Sequence, residues 1–235
     1  MLRPFDIFSK SSSSVCIWLN GEPTAIQKRG HDIWNKAQHR VATDGALNEI
    51  HRRANDGVTW SHVVSGDFDS LDRGIELNNA NMVHLPDQDK TDLTKSIEWC
   101  LEQKKNGRWS FDRIVLLGGL NGRFDHTMAT ISTLATFAEN ETPIIVLDHR
   151  NLVHAVPEGQ SEIHVESGMI TKMCGVIPLT QKATTVTSKG LKYDMNELPL
   201  AFGKMISTSN EVTSNVIQLK TTAPLLFTIE LIKEL

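Results

Sequence analysis

The chain has 235 residues, enough for one large domain or two modest ones, and its 40% hydrophobic and 22% charged content is that of an ordinary globular protein. A formal net charge of -4 gives no electrostatic basis for binding nucleic acid or an anionic membrane surface, so neither is expected as a partner. Cys16, Cys100 and Cys174 lie far apart, each in an apolar run, which argues against a disulfide framework or a zinc site and for a reducing compartment.

In chain order, residues 11–14 are four serines and read as a short low-complexity leader. The beginning of the chain lacks a signal-peptide pattern, and no apolar run approaches about 18 residues, so the expected location is cytoplasmic. Residues 15–19 (Val-Cys-Ile-Trp-Leu) form a buried-strand pattern stopped by Asn20-Gly21. Short strand-like runs follow at 40–43, 62–66, 82–86 and 114–117. A helix is predicted over 91–104, with Leu93, Ile97, Cys100 and Leu101 on its inner face, and another over 125–138, with Met128, Ile131, Leu134 and Ala135 facing inward. The apolar run 142–147 has strand length.

Strands alternating with helices predict βαβ units and a mostly parallel sheet, a Rossmann-like α/β domain over residues 1–150. After Asp148-His149-Arg150 the pattern turns to period two, as in Leu225, Phe227, Ile229 and Leu231, with runs at 184–188 and 212–219 and punctuating Gly168, Gly175, Gly190 and Gly203. That change predicts a second domain over 151–235, an antiparallel β-sandwich or barrel, with the boundary near 149–151. No internal repeat is evident.

Six aspartates, Asp44, Asp67, Asp69, Asp87, Asp89 and Asp125, stand where strand-like runs give way to turns. In an open parallel sheet ligands bind outside the carboxyl ends of the strands, so these side chains converge on one crevice, of the kind that holds Mg²⁺ and phosphate. Asp67 and Asp69 in Gly66-Asp67-Phe68-Asp69-Ser70 point the same way from an extended segment. Asp87-Gln88-Asp89-Lys90-Thr91-Asp92 runs into the 91–104 helix. Gly118-Gly119 through Arg123-Phe124-Asp125 is a glycine-rich turn whose N–H groups and arginine suit phosphate oxygens.

Each piece has a plainer reading: Asp92 and Asp125 as helix-start aspartates, Asp67 and Asp69 as a polar turn. A capping aspartate contributes roughly 1 kcal/mol. Two carboxylates about 4 Å apart repel by about 4 kcal/mol at an effective dielectric near 20, a conflict that a bound cation removes. The residues alone therefore point to a Mg²⁺-dependent enzyme acting on a phosphorylated substrate and leave phosphoryl transfer and phosphoester hydrolysis open.

Taken together, these segments resemble the thiamin pyrophosphokinase family. The likeness runs in collinear order through Asp44-Gly45, the motifs at 66–70, 87–92 and 118–125, then Gly190-Leu191-Lys192-Tyr193, Ala201-Phe202-Gly203, Ser207-Thr208-Ser209-Asn210 and Pro224-Leu225-Leu226-Phe227-Thr228. It departs from the family at Ala46-Leu47, where Gly-Ala is common, and at Tyr193, where tryptophan is common.

The resemblance implies an α/β catalytic domain, a β-sandwich, a homodimer with thiamin held between subunits, and transfer of diphosphate from ATP to the thiamin hydroxyl with Mg²⁺, leaving AMP. It implies catalytic roles for Asp67, Asp69, Asp89, Asp92, Arg123 and Asp125, with Mg²⁺ on Asp67, Asp69 and Asp92. Nucleotide contacts fall to Asp44, Gly45, Gly118, Gly119 and Arg123. Thiamin contacts fall to Gln88, Tyr193, Ser209 and Asn210. The alternative is a metal-dependent phosphohydrolase of a nucleotide; a further rival is a nucleotide sensor without turnover.

Overall fold

The computed structural model describes every residue except 10–12, 23, 24, 76, 182 and 235. Of the serine leader, Ser11 and Ser12 lie outside the described residues, whereas Ser14 already opens the first strand and is buried. The chain divides into two compact units, Lys10–Thr130 and Met1–Ser9 with Ile131–Leu235. The change of pattern near 149–151 falls inside the latter, at the turn between two of its strands.

In Lys10–Thr130 five parallel strands are ordered β4-β3-β2-β1-β5: β1 (Ser14–Trp18), β2 (His39–Thr43), β3 (Val63–Gly66), β4 (Asn81–His84) and β5 (Arg113–Leu117). Val15 to Trp18 and Ile114 to Leu117 are all buried, because a parallel strand is covered on both faces. Helices α1 (Lys28–Lys36), α2 (Ala46–Arg53) and α3 (Asp92–Lys105) lie between strands, and α4 (Phe124–Thr136) follows β5. The order reverses at β1, which has β2 on one side and β5 on the other. That switch point brings the loops after β1 and β5 together at the carboxyl edge.

Helix α3 starts at Thr91, whose side chain accepts from the Thr94 N–H. Leu93, Ile97 and Cys100 are buried as expected, and Lys95 and Ser96 join them, while Leu101 is only half-buried. Ser96 is satisfied by Ser65 Oγ at 2.8 Å and by the Asp92 carbonyl at 2.6 Å, which ties the helix to β3. On α4 the inner face differs from the predicted one. Met128 is 45% exposed and Ile131 and Ala135 are half-buried, whereas Thr130, Thr133 and Leu134 are buried. Threonine can take the inner face because Thr130 donates to the His126 carbonyl at 3.0 Å, so no hydroxyl is stranded.

The other unit is antiparallel. One sheet orders β6 (Ile144–Leu147), β7 (Asn151–Val156), β14 (Leu225–Leu231), β9 (Ile170–Pro178) and β12 (Ser207–Glu211). A second orders β11 (Leu198–Leu200), β10 (Thr184–Lys189), β13 (Val216–Thr221) and β8 (Gly159–His164), which is the two-sheet β-sandwich that the period-two sequence implied. Leu225, Phe227, Ile229 and Leu231 are fully buried, each of them contributing roughly 1.5–3 kcal/mol by leaving water. The expected strand over 212–219 begins only at Val216, where β13 starts, since β12 has ended at Glu211 and bends at Ser214 and Asn215 lie between the two. Among the described residues no helix is long and apolar enough to cross a membrane.

Candidate active site

Asp44 follows directly on β2 and Asp67 directly on β3, so parallel neighbours deliver both carboxylates to the same edge. Asp44 is 3% exposed; its Oδ1 accepts from Gly45 N–H at 2.6 Å and its Oδ2 from Ser70 N–H at 3.3 Å. Asp67, Asp69 and Asp44 offer carboxylate oxygens that all lie within 4.8 Å of one another. Burial pushes the Asp44 carboxyl above the usual range, and the charges of Asp92 and Asp67 add to the push against its two N–H donors. Asp67 is held below the usual range, first by the donated bond from Gln88 Nε2 at 3.1 Å.

Gly66 makes this convergence possible. Its φ is +148°, and a Cβ there would meet Asp44 Cβ and Cγ at 3.2 Å and Asp92 Cγ at 3.4 Å. Phe68, between the two motif aspartates, has φ +67°, a left-handed turn that brings the Asp69 N–H back to Asp67 Oδ1 at 3.4 Å.

Asp92 opens α3 beside this group, and Lys95 Nζ lies 2.7 Å from its Oδ1. Lys95 also donates to the Leu85 carbonyl at 2.8 Å and is buried. Between those anchors the exposed loop carries Gln88, which reaches Asp67, and Asp89, whose N–H donates to Asp87 Oδ1 at 2.9 Å. Lys95 was not singled out from the sequence; its only signal is the Asp92–Lys95 spacing on a helix start.

On the β5 side Gly118, Gly119 and Gly122 all have left-handed φ near +80 to +87°. A Cβ on Gly119 would sit 2.8 Å from both Leu19 Cδ1 and Thr130 Oγ1, so the loop packs where only glycine fits. A cleft runs from this loop to the acids, lined by Asn20, Asp44, Thr91, Asp92, Gly119, Arg123 and His126. Arg123 forks onto Asp125, Nη2 to Oδ2 at 2.5 Å and Nε to Oδ1 at 3.2 Å. That pairing holds the Asp125 carboxyl low and raises the guanidinium.

The site is therefore a set of carboxylates facing a glycine-lined cleft with one arginine. Oxygen-only donors at this spacing are the donor set of a hard cation such as Mg²⁺, and unlike the sulfur and imidazole sets of zinc, so Asp44, Asp67 and Asp69 fit the metal that the sequence implied. The structure draws Asp44, expected at the nucleotide, into the same cluster, and sets Asp92 beside it on a lysine.

Of the residues expected at thiamin, three lie in the antiparallel unit. Tyr193 is 62% exposed in the turn after β10, with Lys192 Nζ 5.6 Å from its ring centroid. Ser209 is exposed with φ +56°. Asn210, by contrast, is 1% exposed.

The family profile for the thiamin pyrophosphokinase catalytic domain matches residues 31–146, and that for the thiamin pyrophosphokinase vitamin B1 binding domain matches residues 160–226. A protein of Caenorhabditis elegans called thiamin pyrophosphokinase 1 is 60% identical over 98% of this chain and 94% of its own. Thiamine pyrophosphokinase 3 of rice (Oryza sativa subsp. japonica) is 32% identical over 85% of this chain and 81% of its own. The solved thiamin pyrophosphokinase of Candida albicans shares the fold with a TM-score of 0.83, covering 98% of this chain and 92% of its own at 20% identity. With carboxylates, glycine loop and both family profiles in one chain, this protein belongs to the thiamin pyrophosphokinase family.

Proposed function

We propose that this chain transfers the diphosphate group of ATP to the hydroxyl of thiamin, giving thiamin diphosphate and AMP. The observation that carries the reading is the convergence of Asp44, Asp67 and Asp69 within 4.8 Å beside a glycine-lined cleft. Residues 1–150 are assigned the nucleotide chemistry and one thiamin contact, Gln88, and 151–235 the remaining thiamin contacts. Mg²⁺ is assigned to Asp67 and Asp69, with Asp44 and Asp92 completing the acidic set; when bound it neutralises charge on the phosphate oxygens and aligns them.

Arg123 and the N–H groups around Gly118 and Gly119 are assigned to the polyphosphate of ATP, and Gly45 with the cleft-lining Asp44 to the nucleotide as well. For ATP to use Arg123, the guanidinium must exchange its Asp125 partner for phosphate, which its exposed position permits. Asp89 and Asp125 are the candidates to take the proton of the thiamin hydroxyl. Asp125 is held low by Arg123, which weakens it as a base while that pair persists.

Gln88 on one side, and Tyr193 and Ser209 contributed by the second subunit of a homodimer, are assigned to thiamin. Three buried cysteines with no disulfide between them fit a cytoplasmic enzyme. Product analysis tests the reading. Incubation with ATP, thiamin and Mg²⁺ is expected to yield AMP and thiamin diphosphate in equal amounts. ADP or inorganic phosphate, independent of thiamin, would mark a phosphohydrolase instead, and no turnover would mark a sensor.

A further inference from the structure

Asn210 has no hydrogen-bonding capacity left for a ligand. A primary amide has two donors and an oxygen that accepts twice. Its Oδ1 accepts from Tyr193 N–H at 3.1 Å and Glu211 N–H at 2.9 Å. Its Nδ2 donates to the Tyr193 carbonyl at 3.0 Å and to Ser207 Oγ at 3.3 Å. Both main-chain groups of the exposed Tyr193, in its turn, are thus gripped by one buried side chain on β12.

The backbone of β12 is shaped to deliver that grip. Ser207 pairs with Val176 and Asn210 with Cys174, so three steps along β12 match two along β9, a β-bulge with Ser209 at φ +56° inside it. Strict alternation would turn residues 207 and 209 inward; the bulge instead buries 207 and 210 and leaves Thr208 and Ser209 exposed. The same turn is fixed at its other end, where Asp194 Oδ1 accepts from Leu191 N–H at 3.0 Å and from Ser188 Oγ at 3.1 Å. Lys192 N–H donates to the Glu211 carbonyl at 2.8 Å. A turn tied at every other residue leaves one large side chain, Tyr193, standing out of it.

Resting on the reading that Tyr193 is a platform for thiamin, we infer that Asn210 is a positioning residue for that ring and does not touch the substrate. The bulge in β12 exists in this account to aim the amide at residue 193. Thiamin affinity then depends on Asn210 only through Tyr193.

A double-mutant cycle tests this, with thiamin affinity measured by calorimetry and thiamin and ATP KM from turnover. Tyr193→Ala is expected to weaken thiamin about three- to thirty-fold, the range of a cation–π or stacking contact, and to leave ATP KM unchanged. Asn210→Ala, and the isosteric Asn210→Asp should the alanine variant fold poorly, are expected to weaken thiamin by no more than that factor. Either is expected to add nothing in the Tyr193→Ala background. Tyr193 is the single tyrosine of the chain, so ring-labelled tyrosine gives one signal whose position reports the ring directly. That signal should shift on addition of thiamin to the wild type, and should move or broaden in thiamin-free Asn210→Asp.

Additive losses in the double variant would mean that Asn210 contacts thiamin and would overturn the inference while keeping the platform. An Asn210→Asp protein with unaltered ring signal and thiamin affinity would overturn it as well. Unchanged thiamin affinity in Tyr193→Ala would instead overturn the platform reading on which it rests.

Discussion

Lys95 Nζ stands 2.7 Å from Asp92 Oδ1 on its own helix and reaches back 2.8 Å to the carbonyl of Leu85, just past the end of β4. One buried amine therefore holds both ends of the loop that carries Gln88 and Asp89. It also places a positive charge beside a group of carboxylates that would otherwise be uncompensated. Exposed ion pairs three residues apart on a helix contribute little, but this lysine is out of water and its loss strands two partners.

Lys95→Met keeps the aliphatic stem and removes the charge. The expected cost is about 1–3 kcal/mol, below the full figure for a buried pair because Asp92 itself is partly exposed. Faster amide hydrogen exchange over 85–92, with exchange in β1 and β5 unchanged in rank, is the accompanying result. Uniform acceleration across the sheet would mean that the lysine serves only global stability.

Strands β1 and β5 were legible as near-continuous apolar runs, and the acids after β2 and β3 because the residue that follows a parallel strand faces the ligand edge. Helices α1 and α2 were not, for α1 is mostly polar with Gly30 in its first turn and buries only Gly30, Ile33 and Trp34, and α2 spans two turns. Lys95 and Asn210 share a different cause: each is polar by composition and buried by a partner distant in sequence, Leu85 in one case and Tyr193 in the other. The bulge at Ser209 contains no glycine, so nothing local announced it. Met128 misled because burial of Thr130 rests on a helix-carbonyl bond, to His126, that a hydrophobic pattern does not record.

Metal binding should appear as stability. Asp44, Asp67 and Asp69 repel one another in the free protein, and a ligand that favours the native state stabilises it by about 2.7 kcal/mol at a hundred times its dissociation constant. Mg²⁺ with nucleotide is expected to raise Tm. Asp69→Asn should abolish most of that rise without lowering the metal-free Tm, since its carboxylate is exposed and bonded only within the turn. A metal-free variant that melts well below wild type would make Asp69 a residue of the fold.

His154 on β7 predicts a pH dependence. It is buried against Phe227, and burial lowers its imidazole from 6.5 to about 4. The unfolded chain then binds a proton that the folded one refuses, so its contribution is fully present above pH 6.5, falls between 6.5 and about 4, and amounts to roughly 3 kcal/mol when lost. His39 and His62, also lowered by burial, act in the same direction. His154→Leu should match wild type at pH 8 within about 1 kcal/mol and exceed it at pH 4.5 in denaturant titrations. Parallel curves for the two proteins would remove His154 from the account.

Gly66 offers the sharpest separation of strain from chemistry. Alanine there must adopt φ +148° and set its Cβ 3.2 Å from Asp44 and 3.4 Å from Asp92, in the middle of the acidic set. Gly57, with φ +84°, faces open space, so Gly57→Ala meets the backbone penalty and nothing else. Each substitution is expected to cost about 1–3 kcal/mol of stability from backbone strain. Only Gly66→Ala also displaces the carboxylates, and displacement of catalytic groups on the scale of 1 Å lowers turnover by about a hundredfold. The Mg²⁺-induced rise in Tm should shrink in Gly66→Ala and persist in Gly57→Ala, which ties the loss to the acidic set. Equal turnover in the two variants at a temperature well below both transitions would mean that Gly66 serves only the backbone, and that the spacing of Asp44 and Asp92 is not what the reaction requires.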